Sequence, residues 1–118
     1  MAAGTYSSII NATTGTGTTV DFGYPTASVM FEILVTGTVT AGTVAMEVSI
    51  DGTNWFRPPT SVIQNFSGAT QANPYVLVSN TNALFDIGTV NAPIRYARGN
   101  IVANVTGGAT VSVNISGN

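Results

Sequence analysis

The chain reads as an all-β protein, an antiparallel two-sheet β-sandwich of jelly-roll-like order with a flexible N-terminal arm. Three observations predict it. Apolar residues alternate at period two in several segments. No window combines a 3.6-residue apolar period with helix caps, and turns rich in Gly, Thr or Pro recur about every 8–12 residues. Roughly eight short strands spaced in this way form a sandwich or a small barrel, and the sandwich is the expectation here. The 118 residues suffice for one core of ordinary size and not for two.

Residues 1–19 are small, polar and glycine-punctuated, with only Tyr6, Ile9 and Ile10 offering apolar weight. They are expected as the arm, ahead of a single sandwich domain over 20–118. Within the arm, residues 7–11 could add a short edge strand to their own domain or to a neighbour, or could fray. Val29, Phe31, Ile33 and Val35 then share one face, with Met30, Glu32 and Leu34 opposite, which predicts a central strand. After a turn over 36–42, Val44, Met46, Val48 and Ile50 alternate with Ala45, Glu47 and Ser49. This is the pattern of a half-buried antiparallel strand with Glu47 toward solvent.

Asp51-Gly52 predicts a type I′ hairpin, with Trp55 and Phe56 on the returning strand. Pro58-Pro59 ends that strand, because proline cannot donate to the ladder. A polar connection long enough to cross between sheets leads to Asn73-Pro74. Residues 75–78 and 84–87 are β-rich, and Asn91-Ala92-Pro93 marks a turn. Over 94–105 the alternation changes phase, which predicts a bulge near Arg98-Gly99-Asn100. Thr106-Gly107-Gly108-Ala109 reads as the last hairpin turn, before Val111, Val113 and Ile115 alternate to the end.

Only 7% of the residues are charged and none is lysine, against about 25% charged in an average soluble domain. With positive mean hydropathy, such a profile is common in membrane proteins, yet no run approaches the ~18–20 apolar residues that span a bilayer. The first ten residues lack the basic, apolar and cleavage regions of a signal peptide. Polarity comes instead from Thr, Ser and Asn, which can be buried against a partner without desolvating ions. That composition points either to a packed assembly or to a compositional habit of the source genome. Three arginines and a net charge of −2 argue against nucleic acid as a partner.

Without His or Cys the chain lacks the usual neutral-pH base, the thiol nucleophile and the common transition-metal ligands. Asp21, Glu32, Glu47, Asp51 and Asp86 are too scattered to predict a paired-carboxylate or metal site. Gly15-Thr16-Gly17 lacks the lysine of a phosphate loop. No catalytic residue, no metal site and no cofactor is expected, and the protein is not expected to be an enzyme. Glu32 is expected to pair with Arg95 or Arg98.

Two clusters have recognition character: Trp55, Phe56 and Arg57 beside the prolines, and Arg95-Tyr96-Ala97-Arg98. Trp55 could instead plug one end of the sandwich. Two arginines three apart on a strand point to opposite faces. With Tyr6, Ile9 and Ile10 of the arm, the interface candidates are Trp55, Phe56, Arg57, Arg95, Tyr96 and Arg98.

The run Val48-Ser49-Ile50-Asp51-Gly52-Thr53-Asn54-Trp55, the later Ile94-Arg95-Tyr96-Ala97-Arg98 and the terminal Gly-rich hairpin ending in Val111 to Ile115 resemble the small β-sandwich virion proteins of tailed bacteriophages. The resemblance covers about residues 29–116. It implies a capsid decoration or cement protein, a homotrimeric knob on the virion exterior that clamps neighbouring major capsid protein subunits. Such a protein is made in the host cytoplasm and needs no membrane. The same motif also resembles discoidin-type carbohydrate-binding sandwiches, which implies an alternative: a tail-associated or free glycan-binding module stacking sugars on Trp55 and Phe56.

Overall fold

The computed structural model describes residues 4–26, 28–87 and 94–117. Its strands are β1 (Gly4–Ala12), β2 (Gly15–Thr16), β3 (Val20–Thr26), β4 (Val29–Thr36), β5 (Ala41–Ser49), β6 (Gln64–Asn65), β7 (Tyr75–Val76), β8 (Asn82–Asp86), β9 (Ile94–Thr106) and β10 (Thr110–Gly117). One sheet has the order β1-β10-β4-β8-β6, and the other β2-β9-β5-β7 with β3 also on β9. Ala97 pairs with Val20 on one side and Val48 on the other, so β2 and β3 form one interrupted edge opposite β5. Counted as one strand, they give β1-β10-β4-β8 facing β3-β9-β5-β7, the interleaved order of a jelly roll. β6 extends the first sheet at its edge.

The central strand of the first sheet is β4, held by β10 on one side and β8 on the other. Val29, Phe31, Ile33 and Val35 are all buried, as their period-two spacing predicts, and Val111, Val113 and Ile115 of β10 sit beside them. Val44, Met46 and Val48 close the core from the second sheet. The last hairpin turns at Gly107 and Gly108, both at positive φ.

The expected arm is, from Gly4 onward, part of the sandwich. β1 pairs with β10, and β2 with β9. Two register shifts in β1 bring Ser8 and Ile9 inward together, and Ile9 is only 5% exposed. The segment has little apolar weight of its own, but a strand needs little when the ladder bonds come from β10 and the core it seals is built elsewhere. Ser8 completes the seam, its Oγ donating to the Thr18 carbonyl at 2.8 Å and accepting from the Gly99 N–H at 3.0 Å.

Three local expectations are also corrected. The Asp51-Gly52 segment does turn the chain, since Val48 and Phe56 exchange both backbone bonds, but only Gly52 of the pair has positive φ. The turn is thus a wider loop and not type I′, and its return is a single bridge because Pro58-Pro59 stops the ladder. β5 is buried on both faces from Val44 through Ser49, not half-buried. Finally, β9 pairs without interruption from Tyr96 to Ile101, and its register shifts with β5 fall beyond Ile101 instead of at Arg98-Gly99-Asn100. The Asn91-Ala92-Pro93 turn lies outside the described residues.

Candidate functional site

On β9, Ala97, Gly99 and Ile101 face the core, so Arg98 and Asn100 face outward beside Glu47 and Ala45 of β5. Glu47 and Arg98 are direct cross-strand partners, and the Arg98 Nε donates to Glu47 Oε1 at 2.8 Å. Arg57, arriving from the end of the Asp51 loop, places its Nε 3.1 Å from Oε2, and the Asn100 amide donates to the same oxygen at 3.2 Å. The carboxylate is 5% exposed although it lies on the outer face of a sheet. Burial alone would raise its pKa, but the bonds from Arg98, Asn100 and Arg57 outweigh it and hold Glu47 below its ordinary value. The assignment of Glu47 to solvent is therefore corrected: three donors from β9 and the loop cover it.

Trp55 does not plug the sandwich. Its ring is partly buried on this outer face, with the Arg98 guanidinium 4.0 Å from the ring centroid. Arg98 is thus held between an indole and a carboxylate. The loop behind Trp55 is fixed by Asp51, whose Oδ1 accepts from the N–H groups of Asn54 at 2.8 Å and Thr53 at 2.9 Å. Those bonds hold the Asp51 carboxyl well below the usual carboxylate range. On the far side of β9, Arg95 donates to both oxygens of Asp21 at 3.0 and 3.3 Å and lies 5.2 Å from the Tyr96 ring.

Ile94 and Ala97 are both buried although three residues apart, so the alternation slips between them. Arg95 and Arg98 therefore both lie outside the core, where strict alternation would have parted them. Glu32 takes neither arginine. It sits on the outer face of the first sheet and accepts from the Asn114 amide at 2.9 Å, because β10 and not β9 is its neighbour.

Beside the ion-pair cluster runs an apolar groove of about 410 Å³, walled by Val48, Ile50, Phe56, Pro58, Pro59 and Ile94 with Arg57 at its side. Ile50 is 58% and Phe56 62% exposed. Of the nine interface candidates, Trp55, Arg57, Arg95, Tyr96 and Arg98 lie outside the core around β9 and the Asp51 loop, and Phe56 lines the groove at the adjoining end of the sandwich. The three from the N-terminal segment lie elsewhere. Ile9 is in the core and so is removed as a contact residue, Tyr6 packs against the core half-buried, and only Ile10 is well exposed on β1.

Sequence reasoning missed two residues here. Asn73 substitutes for a strand at the edge of β5: its Oδ1 accepts from the Met46 N–H at 3.0 Å, and its amide donates to the Met46 carbonyl at 2.9 Å and the Pro58 carbonyl at 3.1 Å. Phe66 is 86% exposed on a loop beside β6. A lone aromatic between polar residues in a long connection was the available signal for it. Among the described residues, no three His, Cys, Asp or Glu side chains are grouped to hold a metal ion, and no helix is long and apolar enough to cross a membrane.

The architecture defines the class: a jelly-roll β-sandwich presenting an arginine-centred ion-pair face flanked by an apolar groove. It is similar to the SPBc2 prophage-derived protein YomS, whose crystal structure superimposes with a TM-score of 0.58 over 98% of this chain and 92% of that chain, at 15% sequence identity. At that identity the likeness is one of fold. No protein-family model and no curated protein matches the sequence.

Proposed function

We propose that the protein is a structural component of a phage particle that decorates and cements the capsid, gripping neighbouring major capsid protein subunits from the outside. The observation that carries this reading is the end-to-end fold likeness to a prophage-derived protein. The outer face of the second sheet supports it. Arginines there are fixed in advance by Glu47, Asp21 and Trp55, and at the adjoining end of the sandwich Ile50 and Phe56 stand exposed at the groove that Arg57 edges, the mixture of Arg and aromatic anchors that recurs at protein interfaces. Because Arg95 and Arg98 are already held by their partners, little of their side-chain entropy is lost on docking. In this reading the chain works as a homotrimer without catalysis, cofactor, membrane or nucleic acid, and modest contacts to several capsid subunits add through effective concentration.

The test is the copy number of the protein in purified source particles, by quantitative mass spectrometry against the most abundant shell protein. A ratio near that of the shell subunit is expected. A handful of copies would move the protein to the tail, and complete absence would overturn the particle reading. A glycan-binding module is the second reading, favoured by the exposed Phe56 next to Trp55. Arg98 already covers the Trp55 ring, so Phe56 would have to supply the open stacking face. Saturable tryptophan quenching by sugars, lost in Phe56→Ala, is its signature.

A further inference from the structure

Phe66 is the most exposed large apolar side chain among the described residues, yet its loop is tightly built. Asn65 Oδ1 accepts from the Ser67 hydroxyl at 2.8 Å and from the N–H groups of Ser67 and Ala69, each at 3.1 Å. The Asn65 N–H donates to the Ala69 carbonyl at 2.8 Å, and Gly68 takes the positive φ the turn requires. A flexible loop could hide an aromatic ring. This one holds it out in a fixed place, which lowers the entropic cost of seating it in a partner. Beside it lies a hollow lined by Gln64, Leu84 and Asp86, and Asp86 Oδ1 is buried there without a hydrogen-bond partner.

The groove between the Asp51 loop and Pro58-Pro59 is the counterpart. Its walls are apolar and large enough for an aromatic ring, and the one charged side chain lining it is Arg57. The same chain thus carries a rigid apolar knob close to the partly buried Asp86 carboxylate, and an apolar groove edged by the Arg57 guanidinium, which stays 44% exposed while its Nε bonds Glu47. We propose that the protein self-associates head to tail, Phe66 of one copy seating in the Ile50/Phe56/Pro59 groove of the next. Different surfaces meet in such a contact, so it builds a closed ring where the rotation allows. An aromatic side chain buries about 150–250 Å², well short of a stable interface of ~1,200–2,000 Å². Phe66 is therefore the anchor, and Ile50 and Phe56 belong to the surrounding contact. The inference deepens the homotrimer of the capsid-decoration reading and rests on that reading for its setting, while the contact itself is a property of the isolated chain.

Light scattering coupled to size exclusion, run on the full chain across concentrations, is the first measurement. The wild type is expected to associate, and Phe66→Asp and Ile50→Asp each to weaken association by at least ~30-fold while keeping the wild-type circular dichroism, since both side chains are exposed. The chain has no cysteine, so introduced thiols report cleanly. Ser67→Cys mixed with Pro59→Cys is expected to give disulfide-linked dimers containing one of each, and either variant alone much less. A monomeric wild type, unaltered association in both aspartate variants, or like-with-like crosslinking as strong as in the mixture would overturn the contact. None of these results alters the copy number on particles, so the two proposals fail separately.

Discussion

At Glu47 the fold places a carboxylate almost out of solvent, between two guanidiniums and an amide. Removing the charge leaves Arg98 facing an indole and a neutral amide, so Glu47→Gln is expected to cost about 2–3 kcal/mol. Arg57→Ala, which deletes a partner that is nearly half exposed, is expected to cost no more than ~1 kcal/mol. Urea denaturation of the two variants beside the wild type checks the ranking. Equal losses would mean that the pair through Arg98 does not dominate the cluster.

At the scale of elements, the β9–β10 hairpin separates two effects of glycine. A Cβ on Gly107 would meet the Thr40 nitrogen at 2.6 Å and the Thr38 oxygen at 2.7 Å, both backbone atoms that cannot step aside, whereas one on Gly108 would meet nothing within 4 Å. Both have positive φ. Gly108→Ala should therefore cost only the left-handed strain, about 1–2 kcal/mol, and Gly107→Ala clearly more, read as the difference in thermal midpoint. β1 offers a second contrast. Ile9→Ala opens the core and is expected to cost about 2–4 kcal/mol, while Ile10→Ala on the outward side of the same strand is expected to stay within ~0.5 kcal/mol. Deletion of residues 1–19 is accordingly expected to unfold the protein, because it uncovers β10 and the core beneath Ile9. A truncated chain with wild-type circular dichroism and thermal midpoint would contradict that.

For the whole molecule, acid response follows from where its carboxylates sit. Glu47, Asp21 and Asp51 all titrate below their ordinary values of 4.5 and 3.8 in the folded state. The unfolded chain binds more protons in that window, so stability rises with pH through it and is lost as pH falls through the folded values. With no histidine in the chain, no ordinary side chain titrates between about pH 6 and 8. The urea midpoint is expected to be flat across that range and to fall below about pH 4.5, less steeply in Glu47→Gln. A midpoint that moves between pH 6 and 8 would contradict the assignment.

The strands were legible from the sequence wherever one face is buried and the other is not, as in β4 and β10, because side-chain alternation is a property of the extended backbone itself. The Gly107-Gly108 turn was legible for the same local reason, and the Trp55–Arg57 and Arg95–Arg98 clusters could be marked from residue type alone. Other features needed partners brought from far along the chain. Arg98 reaches Glu47 across 51 positions, so the burial of Glu47, the stacking of Trp55 and the neutral partner of Glu32 follow from which strands are neighbours. Ile9 is a core residue only because β10 lies beside it. The sequence by itself determined strand periodicity, turn chemistry and the lack of His and Cys, since each is written in consecutive residues. Only the tertiary structure decided which charges meet, which polar groups are buried and where the exposed aromatics stand, because electrostatic and packing energies depend on distance in space and not along the chain.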